Sequence, residues 1–352
     1  MNISQAKEIV KAIVSHNIDA KAEGAKVGQL MTPQLVGDPG IGKTSIVEQV
    51  AEELDIECRT VILAQYDSGE LGGMPYLNEK EDGDKEYARA RPDWLPIEGK
   101  GILFIDEMSQ APMANLNIAA QLVNEHRVGE HILGEGWTVV VANNRMSNRA
   151  GTNQLPTHLR DRLMPIEVDA NLDDAINYFN TVQANPKLTS FLRVFPQRLA
   201  EFDVAQDACP SPRSWLRVNT LLGMQEAGTL SNTALNHCLS STVGSGAAND
   251  FVTHLELHAK MVDPADVIAD PDNAPLPEDV NVSYILCAAL ASRANESNIG
   301  KILKYCDRLT HQDQCAFLVK DALMRTGAKD SPLLKAKEMK VWLQNSGKEL
   351  IL

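Results

Sequence analysis

The sequence predicts an α/β protein, with a parallel sheet and crossover helices in the first half of the chain and helices alone in the second. In the first half, short apolar runs of strand length alternate with segments of helical spacing, which is typical of parallel sheets. From Asn171 onward the strand-like runs fade and helical spacing prevails. The length of 352 residues fits two or three domains. We therefore divide the chain into a core over 1–170, a helical segment over 171–247 and a helical extension over 248–352.

The elements of the core follow from hydrophobic spacing. Met1–Ala20 has apolar residues at helical spacing among Lys and Glu, which predicts an amphipathic helix. A signal peptide would have an unbroken apolar core instead. Helices are also predicted after Gly42 and after Pro112. The candidate strands are Gln34–Val36, Cys58–Ala64, Gly101–Ile105, Trp137–Ala142 and Met164–Val168.

The second half contains two interruptions of the helical pattern. Pro210 and Pro212 precede a helix that we expect to begin near Arg213. Val262–Val280 has five Asp, four Pro and no Lys or Arg, which predicts a solvated, extended connection that proteases cut early. Val282–Leu352 predicts three or four further helices.

Composition excludes some classes of function. The net charge of −14 opposes non-specific binding to nucleic acid or to an anionic membrane. The longest apolar runs are far shorter than the roughly 20 residues of a membrane span. The six cysteines form no C-x-x-C pair, so we expect free thiols in a reducing compartment, the cytoplasm.

The strongest motif is a glycine-rich loop that fits G-x-x-x-x-G-K-[ST]. Such a loop points successive backbone N–H groups at a phosphate, and the helix that follows adds its positive N-terminal end. Lys43 is expected to reach the β- and γ-phosphates of ATP, and the Thr44 hydroxyl to bind Mg²⁺. The predicted nucleotide-binding residues are Gly37, Asp38, Pro39, Gly40, Ile41, Gly42, Lys43, Thr44 and Ser45.

A second motif places two carboxylates after a buried strand. The run Gly101–Ile105 is followed by Asp106 and Glu107, at the strand end where α/β sheets bind ligands. We expect Asp106 to hold Mg²⁺ through water and Glu107 to polarise the attacking water. Because this motif lies about 60 residues after the loop, the two together predict ATP hydrolysis.

The motifs resemble those of MoxR-like AAA+ ATPases. Asp106–Pro112 reads D-E-M-S-Q-A-P and is similar to the family's D-E-[IM]-x-x-A-P signature. Further segments match in the family's order and extend the resemblance over roughly residues 28–230. They are Leu122–Glu130, Val139–Arg145, Leu155–Leu163 and Ser211–Trp215.

The resemblance implies roles for three further residues. Asn144 matches the sensor that orients the lytic water, with Asn143 as the one-residue alternative. Arg162 lies where the family has an arginine finger that reaches a neighbouring subunit, and Arg160 is close enough to compete for the role. The family's usual Phe after the finger is Leu163 here. Arg213 resembles the second sensor, carried on the helical lid that the family has over 171–247.

The resemblance also implies how such a chain works. Family members form homo-oligomeric rings, expected to be hexamers, in which ATP and Mg²⁺ lie between core and lid and hydrolysis remodels a protein client. The partner is often a protein with a von Willebrand A domain. Hairpins are predicted at Met74–Ala90, around the turn Glu81–Asp84, and at Arg127–Leu133. In related rings such hairpins face the pore and touch the substrate; a surface hairpin without a partner is the alternative.

Two other functions remain open at this stage. A nucleic-acid motor could use the same fold, although the net charge and the Glu81–Asp84 turn, without Lys or Arg, argue against it. A non-catalytic switch, in which ATP only assembles a scaffold, is opposed by the intact Asp106–Glu107 pair. DNA-stimulated activity would favour the first, and measurable turnover would remove the second.

Overall fold

The chain folds into two compact units, Met1–Ala170 and Asn171–Leu352. The structure is a computed structural model that describes residues 1–79, 84–145, 155–258, 261–310 and 312–345, with only the backbone of Gln312. Within these ranges no helix has the length and apolarity needed to cross a membrane.

The first unit is built on a five-stranded parallel sheet of order β2-β5-β8-β1-β9. All five predicted strands are confirmed, with their ends shifted by at most two residues. The strands of the unit are β1 Thr32–Val36, β2 Glu57–Ile62, β3 Pro75–Glu79, β4 Lys85–Arg89, β5 Lys100–Asp106, β6 Arg127–Val128, β7 His131–Ile132, β8 Gly136–Asn143 and β9 Leu163–Glu167.

Helices cover both faces of this sheet. The helices of the unit are α1 Ile3–Ala22, α2 Lys43–Glu53, α3 Ser68–Gly72, α4 Met113–Glu125 and α5 Thr157–Arg160. Side chains alternate between the two faces of a strand. Accordingly Ile102 and Phe104 of β5 belong to the core with α1 and α2, whereas Leu103 and Ile105 belong to the core with α4. Burial on both faces explains the unbroken apolar run of β5.

The register brings the carboxyl ends of the central strands to one edge. Val36 at the end of β1 pairs with Asn143 at the end of β8. On the other side of the sheet, Ile62 at the end of β2 pairs with Asp106 at the end of β5. The segments that follow these strands therefore meet at the same edge, where open α/β sheets bind ligands.

Two hairpins project from the first unit. β3 and β4 pair antiparallel from Pro75↔Arg89 to Glu79↔Lys85, and β6 pairs with β7. Both predicted hairpins are present, although residues 80–83, which include most of the predicted Glu81–Asp84 turn, lie outside the described residues. A hydrogen bond from the Arg89 N–H to Glu130 Oε1 (3.2 Å) joins the first hairpin to the second.

The second unit is helical in the residues described. Its helices are α6 Leu172–Thr181, α7 Pro186–Val194, α8 Pro212–Glu226, α9 Asn232–Val243, α10 Ser245–His258, α11 Pro264–Ala269, α12 Val280–Arg293, α13 Ile299–Cys306, α14 Gln312–Arg325 and α15 Lys337–Asn345. Helix α8 begins beside Arg213, as predicted. The boundary proposed at 247/248 falls inside α10, and the division of the helical half stays a prediction. Short 3₁₀ helices lie at Val27–Gln29, Leu63–Gln65, Met108–Gln110, Pro196–Leu199, Ala328–Asp330 and Pro332–Lys335.

The prediction for Val262–Val280 is wrong, because this acidic stretch is packed. Asp263 caps α11, and Val267 is fully buried in the core of the unit. Basic side chains from elsewhere compensate the acidic ones: Arg293 pairs with Asp263 at 3.1 Å and Lys304 with Asp272 at 2.6 Å. These basic partners lie outside the stretch, so counting the charges within it could not reveal them.

A buried carboxylate connects α14 to α6 and α7. Asp321 is 0% exposed. Arg325 Nε lies 3.2 Å from its Oδ2, and Arg193 pairs with its Oδ1 at 3.6 Å. The Asn180 side-chain amide donates to the same Oδ1 at 3.0 Å. These fixed partners compensate the cost of burying the charge.

Candidate nucleotide-binding site

The glycine-rich loop lies between β1 and α2, and its glycines are required by its shape. Gly40 and Gly42 have φ of +77° and +109°, a region that side chains other than glycine rarely adopt. At Gly37, an added Cβ would lie 2.5 Å from the Ile41 side chain and 2.6 Å from the Val168 carbonyl oxygen. The backbone therefore forms a narrow cradle in front of the N-terminus of α2, where an anion is stabilised.

Lys43 places a positive charge inside this cradle. Its side chain is buried, and Nζ donates to the carbonyl oxygens of Gly37 and Asp38 and to Asn144 Oδ1, each at 2.9 Å. These three acceptors are neutral. Because hydrogen bonds between ionised partners are stronger than those to neutral acceptors, a phosphate would compete well for this ammonium group.

Thr44 and Asp106 form the part of the site that fits Mg²⁺. The Thr44 hydroxyl donates to Asp106 Oδ2 at 2.9 Å, which places two oxygen ligands side by side. Among the residues that the structure describes, no three His, Cys, Asp or Glu side chains are grouped to hold a metal. Two protein oxygens suit Mg²⁺, which usually keeps several waters and binds substrate phosphates.

Glu107 has an unusual backbone conformation next to these ligands. It has φ of +52°, in the left-handed region, and its N–H donates to Asp106 Oδ1 at 2.9 Å. Non-glycine residues in this region cost roughly 1–3 kcal/mol and cluster at functional sites. The conformation turns the chain sharply after β5, so that Glu107 follows Asp106 without continuing the strand.

The structure distinguishes the two asparagines after β8. Asn143 is buried, and its Oδ1 accepts a hydrogen bond from the Ser109 N–H at 2.7 Å. Its carbonyl oxygen accepts another from the Gly37 N–H at 3.3 Å. Asn144 instead contacts Lys43 inside the cradle. This geometry favours Asn144 over Asn143 as the residue near the phosphates, and its sensor role stays a prediction.

Arg145 belongs to the same edge, although its sequence pattern indicated no role. Its guanidinium lies 3.3 Å from Asp38 Oδ2 and 2.5 Å from Asp169 Oδ1. The hydrogen bond from Arg145 lowers the pKa of Asp169. The residue stands inside the Val139–Arg145 segment of the sequence, but only the folded chain reveals that it faces the loop.

The arginines predicted to act on the phosphates are exposed. Arg160 ends α5, and Arg162 lies in the turn before β9. Arg213 is the second residue of α8 in the second unit. The roles of these three residues stay predictions.

The parallel sheet, the glycine cradle with its lysine and the Thr44–Asp106 pair define a P-loop nucleotide-binding domain. Residues 34–166 match the family described as ATPase family associated with various cellular activities (AAA). The match lies within the first unit, and the chain has the AAA+ P-loop fold. None of the curated proteins matches the chain.

Two of the solved structures that match the chain are distantly similar to it. A mutant of RuvB from Thermotoga maritima is 17% identical over 81% of this chain and 82% of that one, with a TM-score of 0.38. NtrX of Brucella abortus is 13% identical over 91% of this chain and 64% of that one, with a TM-score of 0.31. These TM-scores lie below 0.5. The evidence for the fold is the five-stranded parallel sheet and the family match over residues 34–166.

Proposed function

We propose that the chain binds ATP with Mg²⁺ and hydrolyses it. One observation carries the proposal: two hydrogen-bonded pairs, Lys43 with Asn144 and Thr44 with Asp106, lie at the edge where the central strands end. A buried ammonium group, a hydroxyl and a carboxylate in this arrangement match the needs of a nucleotide polyphosphate and its metal.

Each residue has a defined task in this proposal. The cradle N–H groups and Lys43 hold the phosphates, and Thr44 and Asp106 hold Mg²⁺. When bound, Mg²⁺ neutralises charge that develops on the phosphates. Glu107 orients and polarises the attacking water, and Asn144 holds that water in line once Lys43 has turned to the phosphates.

The wider mechanism rests on the resemblance to MoxR-like proteins. We infer a homo-oligomeric ring, a hexamer, in which Arg162 supplies its charge to the nucleotide of a neighbour and Arg213 acts as second sensor. The ring would remodel a protein client, such as a protein with a von Willebrand A domain. The six cysteines are free thiols, which suits a cytoplasmic location.

The proposal is tested by separating binding from turnover. Glu107→Gln should bind ATP as the wild type does but hydrolyse it about 10²–10⁴-fold more slowly, because only the action on water is lost. Binding is measured by calorimetry and turnover by phosphate release. Glu8→Gln, the same change at an exposed position of α1, is the matched control. Wild-type turnover by Glu107→Gln would contradict the role of Glu107, and a wild-type chain that binds no ATP would contradict the proposed function.

A further inference from the structure

The phosphate cradle contains a negatively charged side chain of its own. Asp38 is the second residue of the loop, between Gly37 and Gly40, and its side chain is 29% exposed. A carboxylate near a polyphosphate is unfavourable, since like charges a few ångströms apart in a partly buried site repel by several times the value in water. A positive charge beside this carboxylate would therefore favour the binding of a polyphosphate in the loop.

Arg145 supplies such a charge from the end of β8. One guanidinium nitrogen lies 3.3 Å from Asp38 Oδ2, and the other contacts Asp169 Oδ1 at 2.5 Å and the Val168 carbonyl oxygen at 3.3 Å. The planar guanidinium can bind on two sides at once. Arg145 therefore holds the Asp38 carboxylate while it is itself fixed to the segment after β9.

Two consecutive residues thus contact the loop at different points. Asn144 binds the ammonium group of Lys43, and Arg145 pairs with Asp38. The Asn144 contact is to a group that serves the phosphates directly. Arg145 contacts the Asp38 carboxylate, which would repel the phosphates. The two residues therefore have different tasks.

We propose that Arg145 is a positioning residue that neutralises Asp38 and keeps its carboxylate paired, so that the cradle accepts a polyphosphate. The inference rests on the proposed nucleotide binding. Arg145 acts through Asp38, so loss of Arg145 should matter only while residue 38 carries a charge. The loss should also grow with the negative charge of the ligand.

The test is a double-mutant cycle on the full chain, with binding of ADP and of a non-hydrolysable ATP analogue measured by calorimetry in the presence of Mg²⁺. With Asp38 present, Arg145→Met should weaken binding of the analogue about 10-fold, and that of ADP less. In an Asp38→Asn background the same substitution should cost less than about 2-fold, because no carboxylate is left to repel. Rising salt should shrink the effect of Arg145→Met, since the repulsion is screened.

Further variants separate this role from a structural one. Asp169→Asn removes the other carboxylate partner of Arg145 and should leave the affinity within about 2-fold, because Asp38 stays paired. Arg59→Met is the matched control: Arg59 also forms an ion pair, with Glu57 at 2.8 Å, but at the amino end of β2. Thermal unfolding of each variant without nucleotide reports folding, and Arg145→Gln replaces Arg145→Met if the latter unfolds.

The outcomes distinguish the inference from the function beneath it. Equal losses from Arg145→Met with Asp38 present and in the Asp38→Asn background would overturn the inference and assign Arg145 a structural role. An equal loss from Asp169→Asn would do the same. A wild-type chain that binds neither ligand would overturn the proposed function and the inference with it.

Discussion

Lys43 in the first unit and Asp321 in the second are both buried charges, but their partners differ in kind. Lys43 is 8% exposed and donates to two backbone carbonyls and one amide oxygen. Asp321 is 0% exposed and is held by two arginines and one amide N–H. Neutral acceptors can be exchanged for an anion, whereas paired guanidinium groups already neutralise their carboxylate. We therefore propose that the charge of Lys43 serves a ligand and that the charge of Asp321 serves the fold.

The largest effect is expected at Arg162, which we propose acts on the nucleotide of a neighbouring subunit. Arg162→Ala should bind ATP normally and lose about 10³–10⁵-fold in turnover, the range of arginine fingers supplied in trans. Glu107→Gln should also be nearly inactive, although its Arg162 is intact. Mixed as exchanging subunits, the two variants create interfaces with Glu107 from one chain and Arg162 from the other. Part of the phosphate release should therefore return.

Arg160→Ala in the same mixture is the control for the choice of finger. If Arg160→Ala recovers with Glu107→Gln and Arg162→Ala does not, Arg160 is the residue that acts. No recovery by either, with subunit exchange shown by energy transfer between labelled chains, would point to Arg162 acting in cis or to a strict need for neighbouring active sites.

The comparison itself is tested by removing each buried charge. Asp321→Ala leaves Arg325 without its carboxylate partner, while Arg193 still pairs with Asp173 at 3.8 Å. It should lower the free energy of unfolding by about 3–5 kcal/mol. Lys43→Ala should abolish nucleotide binding and lower the free energy of unfolding by less than Asp321→Ala does, since the cost of burying the ammonium group offsets much of what its hydrogen bonds contribute. Denaturant unfolding and calorimetric binding measure the two effects. If Lys43→Ala were the more destabilising change, the distinction between the two charges would be wrong.

The smallest effect concerns pH and a buried histidine in the first unit. Burial, helped by the charge of Lys21, lowers the pKa of His126 from 6.5 to about 4. Between these values the unfolded chain binds more protons, so the free energy of unfolding decreases as pH falls through this window. His126→Asn should remove a slope of up to about 1.4 kcal/mol per pH unit. Asn suits the left-handed φ of +50° there.

His16→Asn, the same substitution at an exposed position of α1, is the matched control for this prediction. Denaturant unfolding at several pH values between the two pKa values of His126 measures both variants. An unchanged slope in His126→Asn would show that another group titrates with folding. His254 in the second unit, whose pKa burial also lowers to about 4, would be the next residue to replace.

The strands and the phosphate cradle could be predicted because local pattern determines them. β5 is an apolar run that ends in Asp106, and Gly40 and Gly42 of the loop have positive φ, which favours glycine. Each signal lies within a few consecutive residues of the chain. This is why the sheet and the residues around Lys43 and Thr44 can be identified from the sequence.

Contacts between distant segments could not be predicted in the same way. The pairing of Arg145 with Asp38 joins residues 107 apart in the chain, and no local pattern selects one arginine as the partner. The prediction for the acidic stretch is wrong because Arg293 and Lys304, which compensate it, lie outside it. A local signal did exist there, since Asp263 before Pro264 is a typical helix start.

The strand order has a consequence for how the protein is made. β1 pairs with β8 and β9, which are both synthesised later than β2 and β5. Lys43 likewise contacts Asn144, 101 positions later in the chain. At a synthesis rate of about 5–20 residues per second, the loop motif is complete roughly 5–20 s before the end of β8 has been synthesised. During translation β1 is therefore complete before the strands it pairs with, and a nucleotide bound as proposed could stabilise the nascent domain only after β8 has emerged.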